Sequence, residues 1–125
     1  KLLYSVYSKR SDYKPELWIS NAAPGTAGTD RKLLNVNTWA NKCTFTDDRY
    51  VYCGIPTTLA TGAGFVPAIA DQTPDTIYKI DTQTGTKTEI PIDGTHVVGS
   101  MFVGEDGQSI YFTDKNRNGL FRVNP

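Results

Sequence analysis

The chain has 125 residues, and its 13 Lys and Arg balance its 13 Asp and Glu, so the formal charge is zero at neutral pH. That balance excludes the basic footprint of a nucleic-acid or anionic-lipid binder, and no apolar run approaches the ~18 residues of a membrane span. The length corresponds to one domain able to bury a real core, and abundant Thr, Tyr, Val, Ile, Gly, Asn and Asp favours strands and turns over helices.

Leu2 to Tyr7 alternates aliphatic or Tyr with Ser, a strand pattern, and Lys9 to Pro15 is a polar loop closed by Pro. Glu16 to Asn21 is a second strand, followed by a Gly/Ala/Thr-rich turn region at 22–30 with Pro24-Gly25 as its signal. Lys32 to Val36 is a short strand, polar enough for a sheet edge. Asn41 to Ile55 reads as a hairpin carrying a cysteine near each end. Residues 57–74 have no sustained period, a length that suggests an inserted surface loop. Thr76 to Asp81 and Lys87 to Ile92 are strands around a Thr-Gln-Thr-Gly turn, and Pro91 places the second at an edge. Val97 to Val103, Ser109 to Asp114 and Leu120 to Asn124 complete the series, with turns at 104–107 and 116–119.

A repeat organises these strands. Aliphatic-Tyr recurs at Leu3-Tyr4, Val51-Tyr52 and Ile110-Tyr111. Downstream of each lies aliphatic-aromatic-x-aliphatic-Asn/Asp: Ile77-Tyr78-Lys79-Ile80-Asp81, Leu120-Phe121-Arg122-Val123-Asn124, and more loosely Leu17-Trp18-Ile19-Ser20-Asn21. With the 57–74 insertion set aside, the intervals approach the ~40–50 residues of a propeller blade. The expectation is an all-β single domain over 1–125, a β-propeller segment of about two and a half four-stranded antiparallel blades. Its units are 1–37 (three strands), 38–94 (a complete blade with the 57–74 insertion) and 95–125 (three strands). A β-sandwich is the alternative, since ten short strands in one domain also suit one.

The run Trp39-Ala40-Asn41-Lys42-Cys43, then Asp48, Tyr52-Cys53-Gly54-Ile55-Pro56, and later Ile77 to Asp81 with Gly85, resembles the TolB-like or dipeptidyl-peptidase-IV-N-terminal type of β-propeller repeat. It is similar in particular to exported bacterial propeller proteins. The resemblance covers most of the chain and specifies blades rather than an activity. It implies a binding scaffold, or a propeller appended to a peptidase. About two and a half blades cannot close a ring, so the chain is expected to be a fragment, to assemble with other copies, or to form an open array. With no initiator Met, signal peptide or lipobox at Lys1, a processed start or an excised piece is expected.

Candidate chemistry is sparse. With Asp47-Asp48-Arg49 as a three-residue loop, Cys43 falls opposite Cys53, at the Cα separation of about 4.5 Å that a non-hydrogen-bonded pair offers. The disulfide is the favoured reading and implies an extracytoplasmic place, periplasmic, cell-surface or secreted. Two buried free thiols are the alternative, and a metal site lacks partners. His96 is the single histidine and reads as a solvent-exposed loop residue. No nucleophile elbow, dinucleotide fingerprint or phosphate loop occurs, so no cofactor and no enzyme activity is expected of this chain. Asp71, Asp75, Asp93, Asp106 and Asp114 read as turn residues, and Asp114 to Gly119 as a solvated hairpin tip. The possible binding loop is the insertion with Phe65, Val66 and Ile69, expected beside Trp39 and His96. The reading is a non-enzymatic scaffold whose partners are other copies or the rest of a longer propeller, with a protein or glycan as possible ligand. The alternative is the accessory propeller of an exported hydrolase.

Overall fold

The computed structural model describes residues 1–22, 24–26, 28–47, 49–59, 62–63, 68, 71 and 73–123, the side chain of Ser11 excepted. They form three antiparallel sheets, each a meander pairing in chain order. Sheet 1 holds β1 (Leu2–Val6), β2 (Glu16–Ser20) and β3 (Lys32–Leu33). Sheet 2 holds β4 (Cys43–Phe45), β5 (Tyr50–Pro56), β6 (Asp75–Asp81) and β7 (Lys87–Ile90). Sheet 3 holds β8 (Val98–Val103), β9 (Ile110–Asp114) and β10 (Arg117–Val123). 3-10 turns are found at Lys9–Ser11 and Ala40–Lys42, and Ala68 and Asp71 also have 3-10 geometry. The all-β expectation holds.

Local chemistry sets the strand ends. β3 is shorter than its pattern because Asn35 turns left-handed, at φ 58°, although the Leu34 amide still reaches Leu17 O and the Leu17 amide reaches Val36 O. β7 lies at the sheet edge as expected, but it ends at Ile90, before the Pro91 that was expected within it. β10 begins at Arg117, earlier than expected, and an irregularity in its pairing separates Arg117 from Leu120. Gly119 sits inside that bulge at φ 120°, a geometry open to a residue without Cβ. Of the region expected to carry the last strand, Asn124 lies outside the described residues.

The sheets stack through two apolar cores. Leu17, Ile19, Leu34 and Val36 meet Cys43, Val51, Cys53 and Ile80 between sheets 1 and 2. Tyr52 and Ile77 meet Val98, Met101, Ile110, Phe112 and Val123 between sheets 2 and 3. Because side chains alternate along a strand, Val51 and Cys53 serve the first core while Tyr52 serves the second. Sheet 2 is therefore apolar on both faces, which its middle strand already advertised. At Gly54 the contact with sheet 3 is so close that an added Cβ would stand 2.7 Å from Val98 Cγ2.

Register tests the repeat. Val51 pairs with Ile80 and Ile110 with Val123, so the second and third units are in phase. In sheet 1 the residue aligned with Ile80 is Ser20, and it pairs with Leu2 rather than Leu3. Leu2-Leu3, not Leu3-Tyr4, is thus the equivalent of Val51-Tyr52. A one-residue slip exchanges the faces of a strand, and Tyr4 points away from sheet 2, opposite Trp18, while Leu3 packs inward.

Candidate functional site

Cys43 lies opposite Cys53 across the hairpin, with Thr44 opposite Tyr52 and Phe45 opposite Val51. That is the register a three-residue turn imposes. The two form a disulfide, with Cα atoms 4.1 Å apart. The turn itself is organised by Asp47, whose Oδ1 accepts the amides of Arg49 and Tyr50; Asp48 lies outside the described residues. Arg49 grips Asp81 with two nitrogens, at 3.0 and 2.6 Å. That guanidinium contact holds the Asp81 carboxyl well below the usual range. The cross-link is buried in the first core and gives no reactive thiol.

A polar junction ties sheet 2 to sheet 3 where the 57–74 insertion begins and ends. The 3-10 turn at Ala40–Lys42 delivers Lys42 to Asp75 at the start of β6, Nζ to Oδ2 at 2.7 Å, with both side chains withdrawn from solvent. The Val98 amide at the start of β8 donates to the same oxygen at 2.7 Å. Asp75 Oδ1 is buried and has no hydrogen-bond partner among the described residues; Trp18 Nε1 shares that state. Burial pushes the Asp75 carboxyl up, against the downward pull of the Lys42 ammonium and the Val98 amide. The Asp75 amide donates to His96 O, and the Thr57 amide to Pro74 O. Thr38 Oγ1 donates to Gly54 O at 2.6 Å.

His96 is buried, not exposed. Its ring is 5.2 Å from that of Phe112 and 4.4 Å from that of Phe121, centroid to centroid. Nδ1 lies 2.8 Å from Asp114 Oδ2 and Nε2 lies 2.9 Å from Asp93 O. Both nitrogens thus face acceptors, an arrangement that imidazolium satisfies twice and neutral imidazole once. Burial alone would raise the Asp114 carboxyl, but the Asn116 amide and the His96 ring outweigh it and hold it below the usual range. His96 thereby clamps the 93–96 turn to β9, and it also lines a cleft of about 240 Å³ with Pro91, Ile92 and Arg122.

The other sequence-based expectations fall unevenly. Phe65, Val66 and Ile69 lie outside the described residues. Asp75, the first residue of β6 just past the insertion, donates its amide to His96 O, and within the insertion Asp71 meets Lys115 and Asn116 of the 114–117 turn at 2.8 Å each. Trp39 is half-buried; its carbonyl accepts the Lys42 amide, and it makes no described contact with His96. Asp106 is a turn residue as expected, bonding the Ser109 hydroxyl and amide and the Gln108 amide, which lower its carboxyl to about 2. Asp75 and Asp114 are instead buried strand residues, so the tip from Asp114 onward is solvated only beyond its first residue. Lys42 and its carboxylate were not expected; their separation of 33 positions leaves no local pattern to find.

A cleft of about 660 Å³ opens between the 35–37 segment and sheet 2. Lys14, Lys87, Thr57, Thr76 and Tyr78 are on its walls, and the Lys87 ammonium spans it to Asn35 O at 3.3 Å. Among the described residues no three His, Cys, Asp or Glu side chains gather to hold a metal. No described helix is long and apolar enough to cross a membrane. No family model, curated protein or solved structure matches the chain.

Proposed function

We propose that this chain is a run of β-propeller blades serving as a non-enzymatic binding or assembly scaffold in an exported protein. The observation that carries the reading is the phase of the aliphatic-aromatic motif in all three sheets. The first residue, Leu17 or Ile77, is buried against the following sheet. The aromatic, Tyr78 or Phe121, packs toward the preceding one. Meanders that stack with the same face always forward are the construction rule of a propeller. A two-sheet sandwich has one core, whereas here a middle sheet is covered on both faces. The strands nearest the proposed axis, β4 and β8, lie beside each other. The disulfide supports an oxidising compartment. The buried polar groups also favour a scaffold, because Lys42 and Asp75 are consumed in joining sheets 2 and 3, and His96 and Asp114 in holding the 93–96 turn to β9.

The test is labelling of the full-length natural product with a fluorophosphonate probe, which captures activated serine nucleophiles. The scaffold reading expects no labelling of the polypeptide that carries this chain. Labelling would replace it with the accessory propeller of a hydrolase.

A further inference from the structure

The motif that sets the stacking leaves one step open at each end. Leu17 and Ile77 are fully buried by the sheet that follows each, but the equivalent Leu120 is 55% exposed. Around Leu120, on the face of sheet 3 turned away from sheet 2, lie Phe102, Tyr111 and Arg122. Phe102 and Tyr111 stack with ring centroids 5.9 Å apart. By register, Tyr111 corresponds to Tyr52 and Arg122 to Lys79, residues of the sheet 2 face that sheet 3 covers.

At the opposite end, Trp18 is the aromatic of its motif, and it faces the side where a preceding sheet would lie. Beside it on sheet 1 are Tyr4, stacked at 6.5 Å, and Leu2 and Val6, 49% and 40% exposed. The corresponding faces of sheets 2 and 3 carry Val51, Cys53, Tyr78 and Ile80, and Ile110, Phe112, Phe121 and Val123. Each of those faces is seated on a neighbouring sheet. Among the described residues, one chain therefore carries both halves of the same interface at its two ends, exposed at Phe102 and Leu120 on one and at Leu2 and Val6 on the other.

We propose that the Phe102–Tyr111–Leu120 face of one copy packs on the Leu2–Tyr4–Val6–Trp18 face of a second copy. This deepens the propeller reading and rests on it. The contact repeats the step already made twice within the chain, so it brings a fourth sheet where the motif requires one. Made at both ends of a pair, it joins six sheets, within the four to eight of closed propellers. The association is head-to-tail at each contact.

The test is sedimentation velocity on the intact, oxidised chain across a concentration series. The expected result is a species of twice the chain mass. Leu120→Lys and Val6→Lys alter exposed positions on opposite ends, and each alone is expected to abolish the dimer while leaving the near-ultraviolet circular dichroism unchanged. An equimolar mixture of the two retains one unaltered contact and is expected to recover a dimer at higher concentration. A wild-type chain that stays monomeric overturns the proposal, as does a dimer sensitive to only one substitution or a mixture that fails to recover. Hydrogen exchange on the same samples separates the two readings. Slow exchange in β5, β6 and β9 with no dimer removes self-association and keeps the stacked sheets, whereas fast exchange there removes the stack itself.

Discussion

Replacing Lys42 by Met removes the cation that faces Asp75 while keeping the length and most of the volume of the side chain. What is left is a carboxylate with its side chain withdrawn from solvent, one oxygen on the Val98 amide and the other without a partner. Breaking a buried pair from one side costs about 3–5 kcal/mol. Protonation limits that cost. Neutralising a carboxyl of ordinary value 3.8 at pH 7 takes about 4.4 kcal/mol, at 1.36 kcal/mol per pH unit. The expected loss is therefore about 3–4 kcal/mol at pH 7. Asp75 is a group whose folded value is raised, so its penalty is absent below the unfolded value and grows as pH rises toward the folded one. At pH 4.5 the same limit is about 1 kcal/mol, and the variant is expected to approach the wild type. Urea unfolding at the two pH values measures both. Adding Asp75→Leu to Lys42→Met removes the stranded charge and is expected to restore part of the loss. A loss below about 1 kcal/mol at pH 7, or one independent of pH, would refute the burial on which the argument depends.

Gly54→Ala places a methyl against Val98 and is expected to cost about 1–3 kcal/mol; Val98→Ala in the same chain opens that space, and chemical denaturation of the wild type, the two single variants and the double variant should show a compensating coupling. The disulfide closes a short loop and contributes about 2–3 kcal/mol in the chain-entropy model. Reduction should lower the urea midpoint, and alkylation should add two groups only after reduction. The Asp106, Asp81 and Asp114 carboxyls are depressed by their partners, so they stabilise the fold above their ordinary value and lose that contribution as pH falls. Thermal stability should decline as pH drops from about 4 toward the Asp106 value of about 2, and Asp106→Asn should flatten that limb.

What could be read from the sequence followed the range of the interaction. The Cys43–Cys53 register was legible because a turn of fixed length determines which residues meet. Sheet 2 declared itself doubly buried because Tyr50 to Cys53 carries apolar or aromatic groups at both parities. The phase of sheet 1 was not legible: Leu2-Leu3-Tyr4 offers two adjacent registers of similar polarity, and only pairing with Trp18 and Ser20 chooses between them. His96 looked exposed because its turn is polar, while the groups that bury it, Phe112, Asp114 and Phe121, come from two later strands. The same holds for Lys42 and Asp75, whose encounter depends on how two sheets meet.

The central claim is that the sheets of this chain are consecutive blades whose open ends pair into a ring. Small-angle X-ray scattering on the associated species tests it most directly. The account predicts a concentration-independent particle of twice the chain mass, with the distance distribution of a flat disc depleted at its centre. An elongated particle, or one that lengthens with concentration, would contradict it.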